Sequence, residues 1–227
     1  MARSDTQDRN KAQAQDSVQD RARGRPQLRP DAETRQIIYE ASRHEFAGNG
    51  YAATSMEAVA RLAGVSTKTL YRLIPNKATL FEGMVSDRLD RFLSEFNLRA
   101  VDHTDIAEAL YAALMSCADL MLDEDVIALQ RMILQETGKF SDLAGTFYKN
   151  GIRRTVAALA DWLRAQQARG LIVLDDADEA AGMLIGMLSS APQRAAIFGG
   201  VPMLSRPAIE ARVRACVKLF LRGCQQA

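Results

Sequence analysis

The chain has 227 residues, 48% hydrophobic and 25% charged, with a formal net charge of +1, the profile of a soluble globular protein with one large domain or a small and a larger one. No uncharged apolar run reaches the roughly 18 residues a membrane span needs, and the polar start has no apolar signal core, so a cytoplasmic protein is expected. Cys117, Cys216 and Cys224 form no CxxC pair and lie far from His44 and His103, so neither a metal nor a cofactor is expected. Reduced, buried thiols account for the cysteines, with a redox sensor as the alternative.

In chain order, residues 1–29 carry Arg3, Arg9, Lys11, Arg21, Arg23, Arg25 and Arg29 against four aspartates and almost no large apolar side chains. Such a segment buries too little surface to offset its ordering entropy, and it reads as a disordered basic arm. Acidic clusters come later, at Asp123-Glu124-Asp125 and around Asp175–Glu179. A basic end on a neutral-to-acidic body suits a protein that touches nucleic acid at one end. Pro30-Asp31 opens a first helix predicted to about Ala47, with Ile38, Tyr39, Ser42 and Phe46 on one face and Gly48-Asn49-Gly50 as its end. Further helices are predicted at 55–63, 67–73, 77–100, 105–122, 126–137, 142–169, 177–198 and 206–222. Leu171–Leu174 is a short apolar run but gives no firm strand. The expected fold is all-α: the arm at 1–29, a three-helix domain at 30–76 and a larger helical domain at 77–227.

The segment from Met56 to Leu73, MEAVARLAGVSTKTLYRL, carries the functional signal. Two short helices crossing steeply need a small residue where they approach, which Ala60 supplies, and a turn residue free to adopt positive φ, which Gly64 supplies. Val59, Ala63, Val65, Leu70 and Leu73 fall on the inner side, Ser66 is placed to cap the second helix, and Thr54 or Ser55 to cap the first. This is the spacing of a helix-turn-helix, though αα-hairpins without DNA share parts of it.

On these residues the chain resembles the TetR-type transcriptional regulators. The resemblance is carried by Phe46, Gly50-Tyr51, Thr54, Val59-Ala60, Ala63–Ser66, Thr69–Tyr71 and Lys77 with Leu80-Phe81. Arg131–Phe198 is similar to the C-terminal domain of the AefR-like branch, through Gln135-Glu136, Phe140, Phe147-Tyr148, Arg169-Gly170 and Ala180-Ala181. Leu73 stands where the family usually has an aromatic or His, Ile74 where it has Phe, and Lys68 where it often has a small residue. Leu73 therefore lacks a phosphate contact that a His or Tyr makes, and the departure at Lys68 bears on operator preference.

A second helix placed in the major groove turns Thr67, Lys68 and Arg72 outward toward bases or phosphates, with the cap Ser66 beside them. Thr54 can offer its hydroxyl and N–H to a phosphate at the start of the first helix of the motif. The resemblance implies backbone contacts from Thr69 and Tyr71, with packing of Tyr71 against the first helix of the motif as the alternative, and a phosphate contact from Lys77. Arg23 and Arg25 resemble a minor-groove arm, with a merely solubilising tail as the alternative. The resemblance also implies an apolar pocket in the larger domain, for which Met115, Met121, Met132, Phe147 and Trp162 are the candidates, with plain core packing as the alternative for each; their composition points to a lipophilic effector, with an anionic head as one option. It implies a homodimer through the last two helices, where Ala180, Leu184, Met187, Leu188, Val213, Val217 and Phe220 repeat at helical spacing, with packing in the core of one chain as the alternative for each residue, and hence a palindromic operator in double-stranded DNA. The expected function is a DNA-binding repressor released by a small lipophilic ligand; activation is equally compatible with these residues. No HExxH, GxSxG, Walker A or GxGxxG motif suggests an enzyme. The competing reading is a helical adaptor using the helix-turn-helix only structurally.

Overall fold

The computed structural model describes residues 29–99, 105–136 and 138–224, and among these the secondary structure is entirely helical. In the small unit that ends at Thr34, Arg29 pairs with Glu33 at 3.3 Å and the Thr34 hydroxyl donates to the Pro30 carbonyl at 3.0 Å. Asp31 and Glu33 place negative charge in the first turn of α1, Asp31–Ala53, where the exposed N–H groups favour it. Ile38, Ala41, Ser42 and Phe46 are its buried stripe. The helix runs a few residues past Ala47 into the predicted Gly48-Asn49-Gly50 end. Its break falls at Gly50, at φ 78 and ψ 167, a conformation open essentially to glycine alone.

Two short helices follow, α2 (Met56–Leu62) and α3 (Thr67–Leu73). Ser55 caps α2 by accepting from the Ala58 N–H, and Ser66 caps α3 by accepting from the Thr69 N–H, both at 3.0 Å. Gly64 has φ +64 in the turn between them, as its place in the motif predicts. The body contains α4 (Lys77–Arg99), α5 (Ile106–Met121), α6 (Glu124–Glu136), α7 (Ser141–Phe147), α8 (Arg153–Ala168), α9 (Ala177–Gly199) and α10 (Arg206–Cys224). The stretch predicted as one helix over 142–169 is a continuous rod whose middle, Tyr148–Ile152, widens into a π-helical turn. The Leu171–Leu174 run is not a strand; Ile172 is buried while Leu171 and Val173 face outward.

Two apolar clusters hold the helices together. The first joins Ile38, Phe46, Val59, Ala60 and Leu70 to Leu80, Phe81, Met84 and Val85 of α4, and then to Leu129, Met132 and Ile133 of α6. Stacked and edge-on contacts among Phe46, Tyr51 and Phe81 lie inside it, and the exposed Phe140 meets Tyr51 edge-on at its border. The second is built from the later part of α4 with α5, α8, α9 and α10, around Phe96, Leu114, Leu159, Leu163, Leu184 and Val213. Helix α4 thus belongs to both, and α6 contributes Leu129, Met132 and Ile133 to the first.

This packing corrects one expectation. Leu184, Leu188, Val213 and Val217 belong to the core of the single chain. Periodicity marks an apolar face but not which neighbour covers it. The outward apolar residues of the last helices are Met183 and Phe198 on α9 and Leu219 on α10, 58%, 74% and 65% exposed. Ala211, Ala215 and Leu219 share one exposed face of α10 at four-residue spacing.

Candidate DNA-binding face and ligand cavity

Helix α3 buries Leu70 against the first cluster and leaves Ser66, Thr67, Lys68, Tyr71 and Arg72 exposed, with Thr69 half-buried. The Ser66 hydroxyl serves the helix itself, since it holds the Thr69 N–H and lies 2.8 Å from the Thr69 hydroxyl. Tyr71 is 45% exposed and its hydroxyl donates to Glu57 of α2 at 3.2 Å. Desolvation, and then the neighbouring Glu57 carboxylate, holds the Tyr71 phenol above its ordinary pKa, so it remains a neutral donor. Thr67, Lys68, Tyr71 and Arg72 thus share one solvent-facing surface. Arg23 and Arg25 lie outside the described residues.

Two residues expected to contact phosphate, Thr54 and Lys77, have internal hydrogen-bond partners. Thr54 is 3% exposed; its hydroxyl lies within hydrogen-bonding distance of the Gly50 and Glu45 carbonyls, at 2.8 and 3.1 Å, and its N–H bonds Gly50. Both donors close the end of α1 and leave none for a phosphate. The Lys77 ammonium donates to the carbonyls of Tyr51, Thr54 and Ala52, at 2.7, 2.8 and 3.2 Å, and sits 4.7 Å from the Tyr51 ring centroid. All three of its donors are engaged. Burial lowers its pKa, and the Glu136 carboxylate partly restores it. Glu136 also accepts the Ala52 N–H at 3.3 Å, so α6 grips the same bend of the chain from the other side. The signal for this was present in sequence: the chain bends at Gly50 and its unpaired carbonyls need a donor, which a lysine opening the next long helix can supply.

Against these helices lies an apolar cavity of about 80 Å³. Its walls include Met84, Leu89, Met121, Leu129, Phe147 and Ile185, with Tyr39 and Arg43 from α1 and Arg88 and Arg91 from α4. The π-helical turn contributes Gly151 and Ile152, a local widening of the kind often found beside functional sites. Of the five residues expected to line one pocket, only Met121 and Phe147 do so. Met115 is buried in the second cluster and Met132 in the first. Trp162 borders a separate, wider groove of about 740 Å³ with Leu93, Phe96 and Arg154. Sequence reasoning missed Tyr39, Arg43 and Arg88. A usable signal existed for Arg88, which falls on the apolar face of α4 with Met84, Val85 and Phe92 at helical spacing. Arg43 similarly stands between Tyr39 and Phe46.

The model for bacterial regulatory proteins of the tetR family matches residues 38–84, and the model for the AefR-like transcriptional repressor C-terminal domain matches residues 108–224. The chain belongs to the TetR family. Members of this family of transcriptional regulators bind DNA and small-molecule ligands. A putative TetR-family transcriptional regulator from Mesorhizobium loti is 29% identical with a TM-score of 0.74, over 86% of this chain and 98% of that one. The flavonoid-responsive regulator FrrA is also 29% identical, with a TM-score of 0.64 over the same shares. The regulator FadR from Bacillus subtilis, solved with stearoyl-CoA, shares the TetR fold at 17% identity and a TM-score of 0.66, over 84% of this chain and 99% of that one. No curated protein sequence matches the chain. Among the described residues no helix of this TetR member is long and apolar enough to cross a membrane.

Proposed function

We propose that this regulator is a homodimeric repressor that binds a palindromic operator through α3 and leaves it when a small lipophilic ligand fills the cavity. The observation that carries the reading is the composition of the cavity wall. Tyr39 and Arg43 come from the first helix of the DNA-binding region, and Met121, Phe147 and Ile185 come from the body. At about 80 Å³ the cavity is smaller than the roughly 300–1,000 Å³ of typical ligand sites. A ligand must therefore spread the lining helices, and a protein interior resists such change except by moving whole elements. Because α1 is one wall, the spread is felt at α2 and α3. The ligand must prefer the spread state for this to release DNA.

Thr67, Lys68, Thr69, Tyr71 and Arg72 supply the groove-facing and backbone contacts, with Ser66 setting the start of the helix. Two such helices must meet successive major grooves, about 34–36 Å apart, which a two-fold dimer provides. The outward Met183 and Leu219 on the last two helices support a dimer surface there. FrrA, at 29% identity a ligand-responsive regulator by name, favours ligand release over a merely structural use of the fold.

The test is binding of the purified protein to the DNA upstream of its own gene across a salt series. Tight, salt-steep binding to a palindrome that Lys68→Ala weakens supports the operator reading. Weak binding with no preference for any sequence favours the adaptor reading. Increased transcription from that promoter on adding the protein would make it an activator.

A further inference from the structure

Two guanidinium groups in the cavity wall carry buried donors that nothing accepts. The Nε atoms of Arg43 and Arg88 are shielded from solvent, and among the described residues neither has a hydrogen-bond partner. Buried donors are satisfied in the great majority of cases, and unsatisfied ones mark a ligand or a functional strain. Acidic neighbours are close without serving these two N–H groups. Glu40 accepts from Arg43 Nη2, and Asp125 Oδ2 lies 3.2 Å from Arg43 Nε but off its N–H direction. Asp123 Oδ2 is 3.4 Å from Arg88 Nη2. The carboxylates thus balance charge while the Nε–H of each arginine is left without an acceptor among the described residues.

The two arginines stand on different helices, α1 and α4, and both border the same apolar space. A carboxylate has two oxygens and about four lone-pair sites, so one group can accept from both guanidinium edges at once. A neutral lipophile would leave both donors unmet. A neighbouring cavity of about 110 Å³ shares Arg88, Arg91 and Leu120 and presents two carboxylates, Glu95 and Asp119, whereas the apolar cavity has a single acidic residue in its wall, Asp125, which is paired with Arg43. The acid head therefore belongs at the Arg43–Arg88 side.

We propose that the effector is an amphipathic carboxylic acid, its apolar body in the cavity and its carboxylate held between Arg43 and Arg88. This rests on the ligand-release reading above and names its ligand class. It also supplies a route to the DNA-binding region. The incoming carboxylate places a second anion beside Asp125 of α6 at Arg43 of α1, so the ion pair between α1 and α6 weakens as the ligand binds.

The test uses the full-length protein and matched acid and amide pairs: benzoate with benzamide, octanoate with octanamide, and decanoate with decanamide. Calorimetry gives each affinity, and release from operator DNA is read in parallel. At least one acid is expected to bind about tenfold or more tighter than its amide, a difference of about 1.4 kcal/mol. Arg43→Gln and Arg88→Gln should each remove that preference, lowering the acid affinity far more than the amide affinity. Arg88→Lys, which keeps the charge, should retain part of it and controls for a glutamine variant that folds poorly. Acids and amides of equal affinity, or an acid preference that survives both glutamine variants, overturn the carboxylate assignment. If amides bind and release DNA as well as acids do, the ligand-release reading stands and this inference fails. If no pair binds at about 1 mM, the weak end of measurable affinity, the carboxylate assignment fails and the ligand-release reading stands apart from it.

Discussion

Replacing Lys77 with methionine keeps most of the aliphatic stem and removes only the ammonium. In the structure that ammonium bonds three carbonyls, those of Tyr51 and Thr54 in partly buried positions and that of Ala52 in an exposed one. The Ala52 carbonyl can be rehydrated, so its bond contributes little. The other two are charge-assisted, and burial of the ammonium, which lowers its pKa, offsets part of their gain. The net loss is about 2–3 kcal/mol. For a chain of this size that corresponds to a fall in Tm of about 4–12 °C. Thermal and urea unfolding measure this directly. Operator binding across a salt series supplies the second readout. A phosphate contact from each protomer of a dimer would contribute about 1.8 to the slope of log affinity against log salt. Since Lys77 faces inward, the slope should hardly change once affinity is corrected for the folded fraction. A Lys77→Met protein with unaltered stability and a slope reduced by about two would falsify the internal role and return Lys77 to the DNA.

Gly50→Ala should cost about 1–3 kcal/mol, because φ 78 with ψ 167 strains any residue with a Cβ; urea midpoints equal to the parent's would contradict this. Burial pushes the Cys117 thiol up to about 12 from 9.0. A raised pKa means that folding favours the protonated form, so its contribution is fully present below pH 9 and is lost as pH rises toward about 12. The slope from this group is at most about 1.4 kcal/mol per pH unit. Cys117→Ala should flatten that part of the stability profile, and iodoacetamide should leave Cys117 unmodified in the native protein at pH 8. Leu219→Glu places a charge on the exposed apolar face of α10. It should shift the sedimentation of the protein toward a monomer and abolish tight operator binding, with the helical circular dichroism unchanged; a dimer that persists moves the interface elsewhere.

Much of the DNA-binding region was legible because its determinants are local. Gly64 needs positive φ by virtue of its place in a tight turn, and Ser66 caps α3 through an N–H only three residues away. Ala60, Val59 and Leu70 had to be small or apolar on the inner side, and all three are buried. The order and approximate ends of the helices followed from the same short-range signals. Tertiary structure decided what depends on neighbours distant in sequence. It turned Lys77 and Thr54 inward, because the bend at Gly50 brings carbonyls to donors that no local pattern pairs with them. It gave Leu184, Leu188, Val213 and Val217 to the chain's own core, since an apolar stripe does not name the surface that covers it. It separated Met115, Met132 and Trp162 from the cavity and brought in Arg43 and Arg88, charged residues that composition alone assigns to solvent. A cap or a turn is settled within about four residues of chain, whereas a cavity exists only where several helices cross, and its lining is chosen by their packing.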